Sequence, residues 1–186
     1  ILIDQTSELA ERAKSKVASV ISDGVDKGKL DSTQAERMLG RLSYRRELAD
    51  VSEPVDVVIE AVPEELELKK RILCEAEALE PRLLATNTSA LSIDALASAL
   101  NRPERFIGLH FFNPVWAMRL VEVIVGSQTS ETTREHALAI VAALEKQAIV
   151  VRDSPGFATS RLGVALGLEA MRMLEEGVAT AQDIDL

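Results

Sequence analysis

Cysteine is nearly missing from this chain of 186 residues, which holds one, Cys74, together with two histidines, His110 and His136. A single thiol excludes disulfides within the chain and cysteine-based metal sites, and two imidazoles are too few for a histidine-rich cluster, so no metal is expected. No apolar run approaches the roughly 20 residues of a membrane-spanning helix. No basic start followed by an apolar stretch is visible either, so neither a membrane partner nor a signal peptide is expected, and the expected compartment is the cytoplasm. Positive charge is scarce: 21 Lys and Arg stand against 30 Asp and Glu, a net charge of −9 that argues against a nucleic-acid partner but not against a local anion site. Glycine lacks the dinucleotide fingerprint, because Gly24, Gly28 and Gly40 do not form G-x-G-x-x-G behind a strand. Internal repeats and low-complexity segments are missing as well.

What is present reads as globular, with 47% apolar and 27% charged residues. The length suits one sizeable core, or one domain with part of a second. "ILID" (1 to 4) reads as a buried strand ending in an acid. Because Ile1 is not methionine and this strand should follow a glycine loop, the sequence is expected to begin inside a structural pattern. Thr6 or Ser7 is positioned to cap a helix with Leu9, Ala13, Val17, Val20 and Ile21 along one face, ending near Gly24 and Gly28. A further cap signature, Asp31-Ser32-Thr33, precedes a short helix.

"VDVVIEAV" (55 to 62) is a β-branched run of the kind buried on both faces of a parallel sheet. Pro63 fits helix position N1, with Glu64 and Glu65 in the first turn and the helix reaching about Leu79. Strands are expected at 83 to 89, 105 to 112, 119 to 126 and 148 to 154, with helices over 92 to 100 and 130 to 146. Strands alternating with helices of these lengths give an α/β fold with a doubly wound, mostly parallel sheet. After "DSPGF" one long helical pattern over 157 to 176 has no strand behind it. The domain boundary is therefore placed at Asp153 to Gly156: residues 1 to 154 form the sheet domain and 155 to 186 begin an all-α domain.

Ligands of open α/β sheets bind outside the carboxyl ends of the strands. That rule selects Asp4, the stretch after Ala61, Asn87 to Ser89 and the loop beyond Phe112. Asp4 is either a helix cap or the acid that accepts hydrogen bonds from an adenine ribose. His110 shares a strand face with Phe106, Gly108 and Phe112, and Asn113-Pro114 follows as a turn, so it is either a satisfied core residue or a strand-end functional group. Glu122, set among valines, is either a charge on an edge strand or a carboxylate brought beside His110 by the next strand. In the second case it would fix the imidazole tautomer and support the protonated ring. His136 reads as a surface residue of an amphipathic helix.

"NTSALSI", "RFIGLHFFNPVWAMRLVEVI" and "DSPGF", in this order and spacing, resemble the 3-hydroxyacyl-CoA dehydrogenases, particularly the 3-hydroxybutyryl-CoA type. The likeness runs from "ILIDQT" to "ATAQDIDL". It implies a Rossmann-like NAD-binding domain, lacking its first strand and glycine loop here, followed by the start of a helical substrate and dimerisation domain, so that the sequence is expected to be truncated at both ends. The implied reaction oxidises the 3-hydroxyl of an acyl-CoA with NAD, and the reverse, within fatty-acid metabolism.

By resemblance His110 is the base, Glu122 its supporting carboxylate, and Ser89 a donor to the substrate oxygen that also lines the cofactor site. Asp4, Glu64, Lys69 and Asn113 match NAD-site positions. Lys27 falls near a position that meets the CoA phosphates. Read without the resemblance, Glu64 is a first-turn acid, Lys69 an i,i+4 partner of Glu65, and Asn113 a turn former. Where the family commonly carries an asparagine that contacts the substrate carbonyl, this chain has Ser160, which donates a hydrogen bond with shorter reach. A homodimer is implied through the helical domain. Two other readings are a sister dehydrogenase acting on a free hydroxy acid and a non-catalytic, crystallin-like relative; the intact Ser89, His110 and Glu122 set favours catalysis.

Overall fold

A computed structural model describes residues 1–4 and 6–186, without the Ser7 side chain. It divides into two compact units, Ile1–Pro54 and Val55–Leu186.

The first unit pairs β1 (Leu2–Ile3) with β2 (Tyr44–Arg45) in parallel and packs two helices, α1 (Ser7–Asp26) and α2 (Ser32–Gly40), against each other. Thr6 caps α1 by accepting the Leu9 N–H at 3.2 Å. Asp31 and Gln34 form a reciprocal capping box on α2, satisfying two orphan donors of its first turn. The expectation of a buried "ILID" strand is corrected, because Ile3 is 38% exposed on a two-stranded sheet.

The second unit is a five-stranded sheet in the order β3 (Val57–Glu60), β4 (Leu83–Thr86), β5 (Phe106–Phe111), β6 (Leu120–Val125), β7 (Gln147–Arg152). All neighbours are parallel except β5 and β6, which form an antiparallel pair. One face is dry: Leu83, Ala85, Ile107, Leu109, Val121 and Val123 pack with Ala137 and Val141 of α5 (Glu131–Ala143). The other face carries Gly108, over which Ile93 of α4 (Ile93–Ala97) closes; a Cβ there would stand 2.8 Å from Ile93 Cδ1. Helices thus cover both faces, as expected of a doubly wound sheet.

The structure differs from the sequence reading in the bounds of some elements and in the burial of β3. The helix α3 (Leu66–Glu77) begins at Leu66, with Glu65 as its N-cap, rather than at Pro63, because Pro63 and Glu64 belong to the strand exit where Glu65 N–H bonds the Pro63 carbonyl. The β3 run is not buried on both faces: it is the outer strand of this sheet, and Ile59 is 40% exposed. Beyond β7, Asp153 accepts from Ser92 Oγ and the Asp94 N–H, which pins the "DSPGF" turn ahead of α6 (Thr159–Glu175). A short α7 (Ala181–Ile184) follows, and among the described residues no helix is long and apolar enough to cross a membrane.

Candidate active site

The antiparallel pairing of β5 and β6 sets His110 directly opposite Glu122. Opposed side chains on one face lie within contact, and here His110 Nδ1 stands 2.7 Å from Glu122 Oε2. Both side chains are buried, Glu122 completely. The edge-strand reading of Glu122 is thereby excluded, since β6 lies between β5 and β7.

A buried carboxylate must be satisfied on all sides. Glu122 Oε1 accepts the backbone N–H groups of Ala158 and Thr159 at 3.0 and 2.9 Å, and Oε2 accepts Thr159 Oγ1 at 2.9 Å besides the imidazole. Burial pushes the Glu122 carboxyl up, but the hydrogen bonds from His110, Thr159 and Ala158 outweigh it and hold the group below the usual carboxylate range. With Glu122 ionised, the short contact requires the proton on His110 Nδ1, leaving Nε2 as a lone-pair acceptor. Among the described residues Nε2 has no hydrogen-bond partner, and only Asp153 Oδ1 is both unpartnered and sealed, so Nε2 is reachable from outside. Phe112 packs on the imidazole at 4.5 Å between ring centroids and Phe157 at 6.1 Å, walls that keep the ring dry and fixed.

The carboxyl ends of β3 and β4 carry a second cluster. Lys69 is 1% exposed, and its ammonium meets Glu60 Oε1 at 2.7 Å, the Val62 carbonyl at 2.9 Å and Glu64 Oε2 at 3.3 Å. Lys69 is therefore not an i,i+4 partner of Glu65: its side chain points back to the end of β3. Glu60 is satisfied in turn by the Val62 N–H and Thr86 Oγ1. Glu64 Oε1 accepts the Thr88 hydroxyl and the N–H groups of Ser89 and Ala90, so it builds the "NTS" turn rather than merely opening a helix. Burial raises the Glu64 carboxyl, yet Thr88, Ser89 and Lys69 together hold it below the ordinary range. Asn87 links the two clusters by accepting the Phe111 N–H at 2.8 Å, next to His110.

Ser89 and Asn113 are exposed, and neither side chain hydrogen-bonds another described residue. A free hydroxyl and a free carboxamide at the carboxyl ends of β4 and β5 are the donors and acceptors that a nicotinamide ribose and amide require, so these residues fit NAD. Ser160 is half-buried one position past Thr159 in the first turn of α6. In the first unit Asp4 follows β1, where its carbonyl accepts the Tyr44 hydroxyl at 2.5 Å. Thr6 supplies the N-cap of α1. Lys27 is exposed at the C-cap of α1.

Glu60, Phe157 and Thr159 escape sequence reasoning, whereas Asn87 was selected only as part of the Asn87 to Ser89 strand exit. An acid closing a β-branched run was a legible signal for Glu60. Phe157 adopts φ of +47°, which no local pattern announces for a phenylalanine.

Residues 1–154 match the model of the 3-hydroxyacyl-CoA dehydrogenase NAD binding domain, and residues 156–186 that of the 3-hydroxyacyl-CoA dehydrogenase C-terminal domain. The human mitochondrial hydroxyacyl-coenzyme A dehydrogenase is 35% identical across 100% of this chain and 61% of its own length. A probable 3-hydroxybutyryl-CoA dehydrogenase of Bacillus subtilis is 36% identical across 99% of this chain and 64% of its own. Among solved structures, the (S)-3-hydroxybutyryl-CoA dehydrogenase of Ralstonia eutropha superposes with a TM-score of 0.92 at 37% identity, covering 97% of this chain and 64% of that one. The chain thus spans under two thirds of the length of these relatives. With both domain models matched in order and relatives above 30% identity across the described fold, the chain belongs to the 3-hydroxyacyl-CoA dehydrogenase family.

Proposed function

We propose that the protein oxidises the 3-hydroxyl of a 3-hydroxyacyl-CoA to the 3-oxoacyl-CoA, and runs the reverse reaction, with His110 as general base. The observation that carries this reading is the buried 2.7 Å contact between His110 Nδ1 and Glu122 Oε2, with Nε2 left unpartnered. His110 Nε2 takes the proton of the substrate hydroxyl as C3 loses hydride, and Glu122 stabilises the imidazolium that forms. NAD, when bound, supplies the hydride acceptor. Ser89 Oγ donates to the substrate oxygen, and Asn113, Glu64 and Asp4 line the cofactor, with Lys69 acting through Glu64. Phe112 and Phe157 exclude water around the imidazole, which strengthens its interaction with Glu122.

Ser160 and Lys27 contact the substrate, the second at the CoA phosphates. Residues 1–154 serve as the cofactor domain, and α6 opens a helical domain that forms a homodimer. The apolar side chains it exposes, Leu162, Leu166 and Met171 among them, support that part of the reading. The proposed compartment is the cytoplasm. A second substrate class is favoured by one neighbour, a diketoreductase described as acting on dicarbonyl compounds, which superposes with a TM-score of 0.88 at 28% identity. NADH oxidation by the full-length protein is to be measured with acetoacetyl-CoA and with free acetoacetate. Turnover of the thioester alone supports the proposal, turnover of the free acid moves the substrate class, and turnover of neither refutes catalysis on this chemistry.

A further inference from the structure

Glu122 Oε2 receives two side-chain donors, His110 Nδ1 at 2.7 Å and Thr159 Oγ1 at 2.9 Å, while Thr159 also gives its backbone N–H to Oε1 at 2.9 Å. The reason lies in the start of α6. Its N-cap residue is Ala158, whose side chain cannot accept a hydrogen bond, so the cap is supplied by the Glu122 carboxylate from β6. The same anion that faces the imidazole therefore terminates a helix of 17 residues, where a negative charge is favoured.

Resting on the base–carboxylate reading above, we propose that the Thr159 hydroxyl is a positioning residue of the His110–Glu122 pair, fixing the carboxylate torsion and setting the proton affinity of the imidazole. The terminal torsion of a glutamate is broad. The two backbone donors hold only Oε1, so without the hydroxyl Oε2 is fixed by the imidazole alone. The hydroxyl also competes for charge on Oε2. Removing it leaves more negative charge facing Nδ1–H, which stabilises the imidazolium and raises its proton affinity.

No other titratable group intervenes among the described residues. Phe112 from the end of β5, Phe157 and Ala158 ahead of α6, and Ile149, the register partner of Glu122 on β7, adjoin the pair, and none of them titrates. Charged groups of adjoining elements engage each other, Glu60 and Glu64 with Lys69 and Glu131 with Arg134. Arg152 on β7 and Arg161 in α6 are exposed, and neither forms an ion pair with Glu122.

The test uses the full-length protein carrying Thr159→Val, which keeps shape and backbone donors, and Thr159→Ser, which keeps the hydroxyl. Nitrogen NMR follows the titration of His110, with His136 on α5 as internal reference, beside steady-state kcat and KM. Thr159→Val raises the His110 midpoint and lowers kcat by about threefold to tenfold with KM within about twofold, and Thr159→Ser restores both. Should the valine variant not fold, Thr159→Ala carries the same expectation. Wild-type titration and kcat in the hydroxyl-free variant, or a serine variant that behaves like it, overturns the proposal. Turnover retained by His110→Gln would instead remove the base reading, while the NMR comparison still decides whether Thr159 tunes the imidazole.

Discussion

Replacing Glu122 by glutamine changes one oxygen into an amide nitrogen, and the surrounding donors determine which. Oε1 accepts two backbone N–H groups that cannot turn away, so the carbonyl oxygen of the glutamine must stay there. The NH₂ group then faces His110 Nδ1 and Thr159 Oγ1. The hydroxyl can rotate to accept, but the imidazole must present a lone pair at Nδ1 and move its proton to Nε2. That is the wrong tautomer for a base. Tautomer inversion of this kind costs about 10²–10⁴ in kcat, roughly 3–5 kcal/mol of barrier. Stability also falls, by about 2–4 kcal/mol, since charge-assisted bonds become neutral ones. The assay is acetoacetyl-CoA-dependent NADH oxidation, with NADH binding measured separately by fluorescence. A Glu122→Gln enzyme with kcat within about threefold of wild type would refute the tautomer argument.

The acid dependence of stability has a definite sign. Glu122 and Glu64 both ionise more readily folded than unfolded, so their contribution is fully present above the unfolded carboxylate value of about 4.3 and is lost as pH falls through the folded ones; Glu122→Gln is expected to flatten the fall of Tm below about pH 4. Lys69→Met strands the buried Glu60 carboxylate without its cation and should destabilise by about 3–5 kcal/mol, read by denaturant unfolding. Gly108→Ala places a Cβ 2.8 Å from Ile93 Cδ1 and 2.9 Å from Ile124 Cβ; overpacking of this kind costs about 1–3 kcal/mol, and a Tm equal to wild type would show that the β5 face is not close-packed there.

The alternation of strands and helices was legible because each element carries its own periodicity. His110 and Glu122 were legible as a possible pair because two polar residues in consecutive apolar strands can be opposed by an antiparallel ladder. What remained hidden depends on where strand ends meet. The Lys69–Glu60 pair joins a helix to the strand before it, and nothing in its spacing distinguishes that from an i,i+4 pair with Glu65. Thr159 was invisible for a similar reason: its partner sits 37 positions earlier, and the cap it helps complete is borrowed from a strand. The shift of the α3 start from Pro63 to Leu66 reflects the competing demand of the β3 exit, where Glu60 and Lys69 hold the Val62 N–H and carbonyl.

His110 is the proposed base. Its most direct test is kcat of His110→Gln in the full-length protein, measured beside its affinity for NADH. kcat is expected to fall by at least about 10³-fold while NADH affinity stays within about threefold. Turnover within about tenfold of wild type, with the cofactor bound normally, would contradict it.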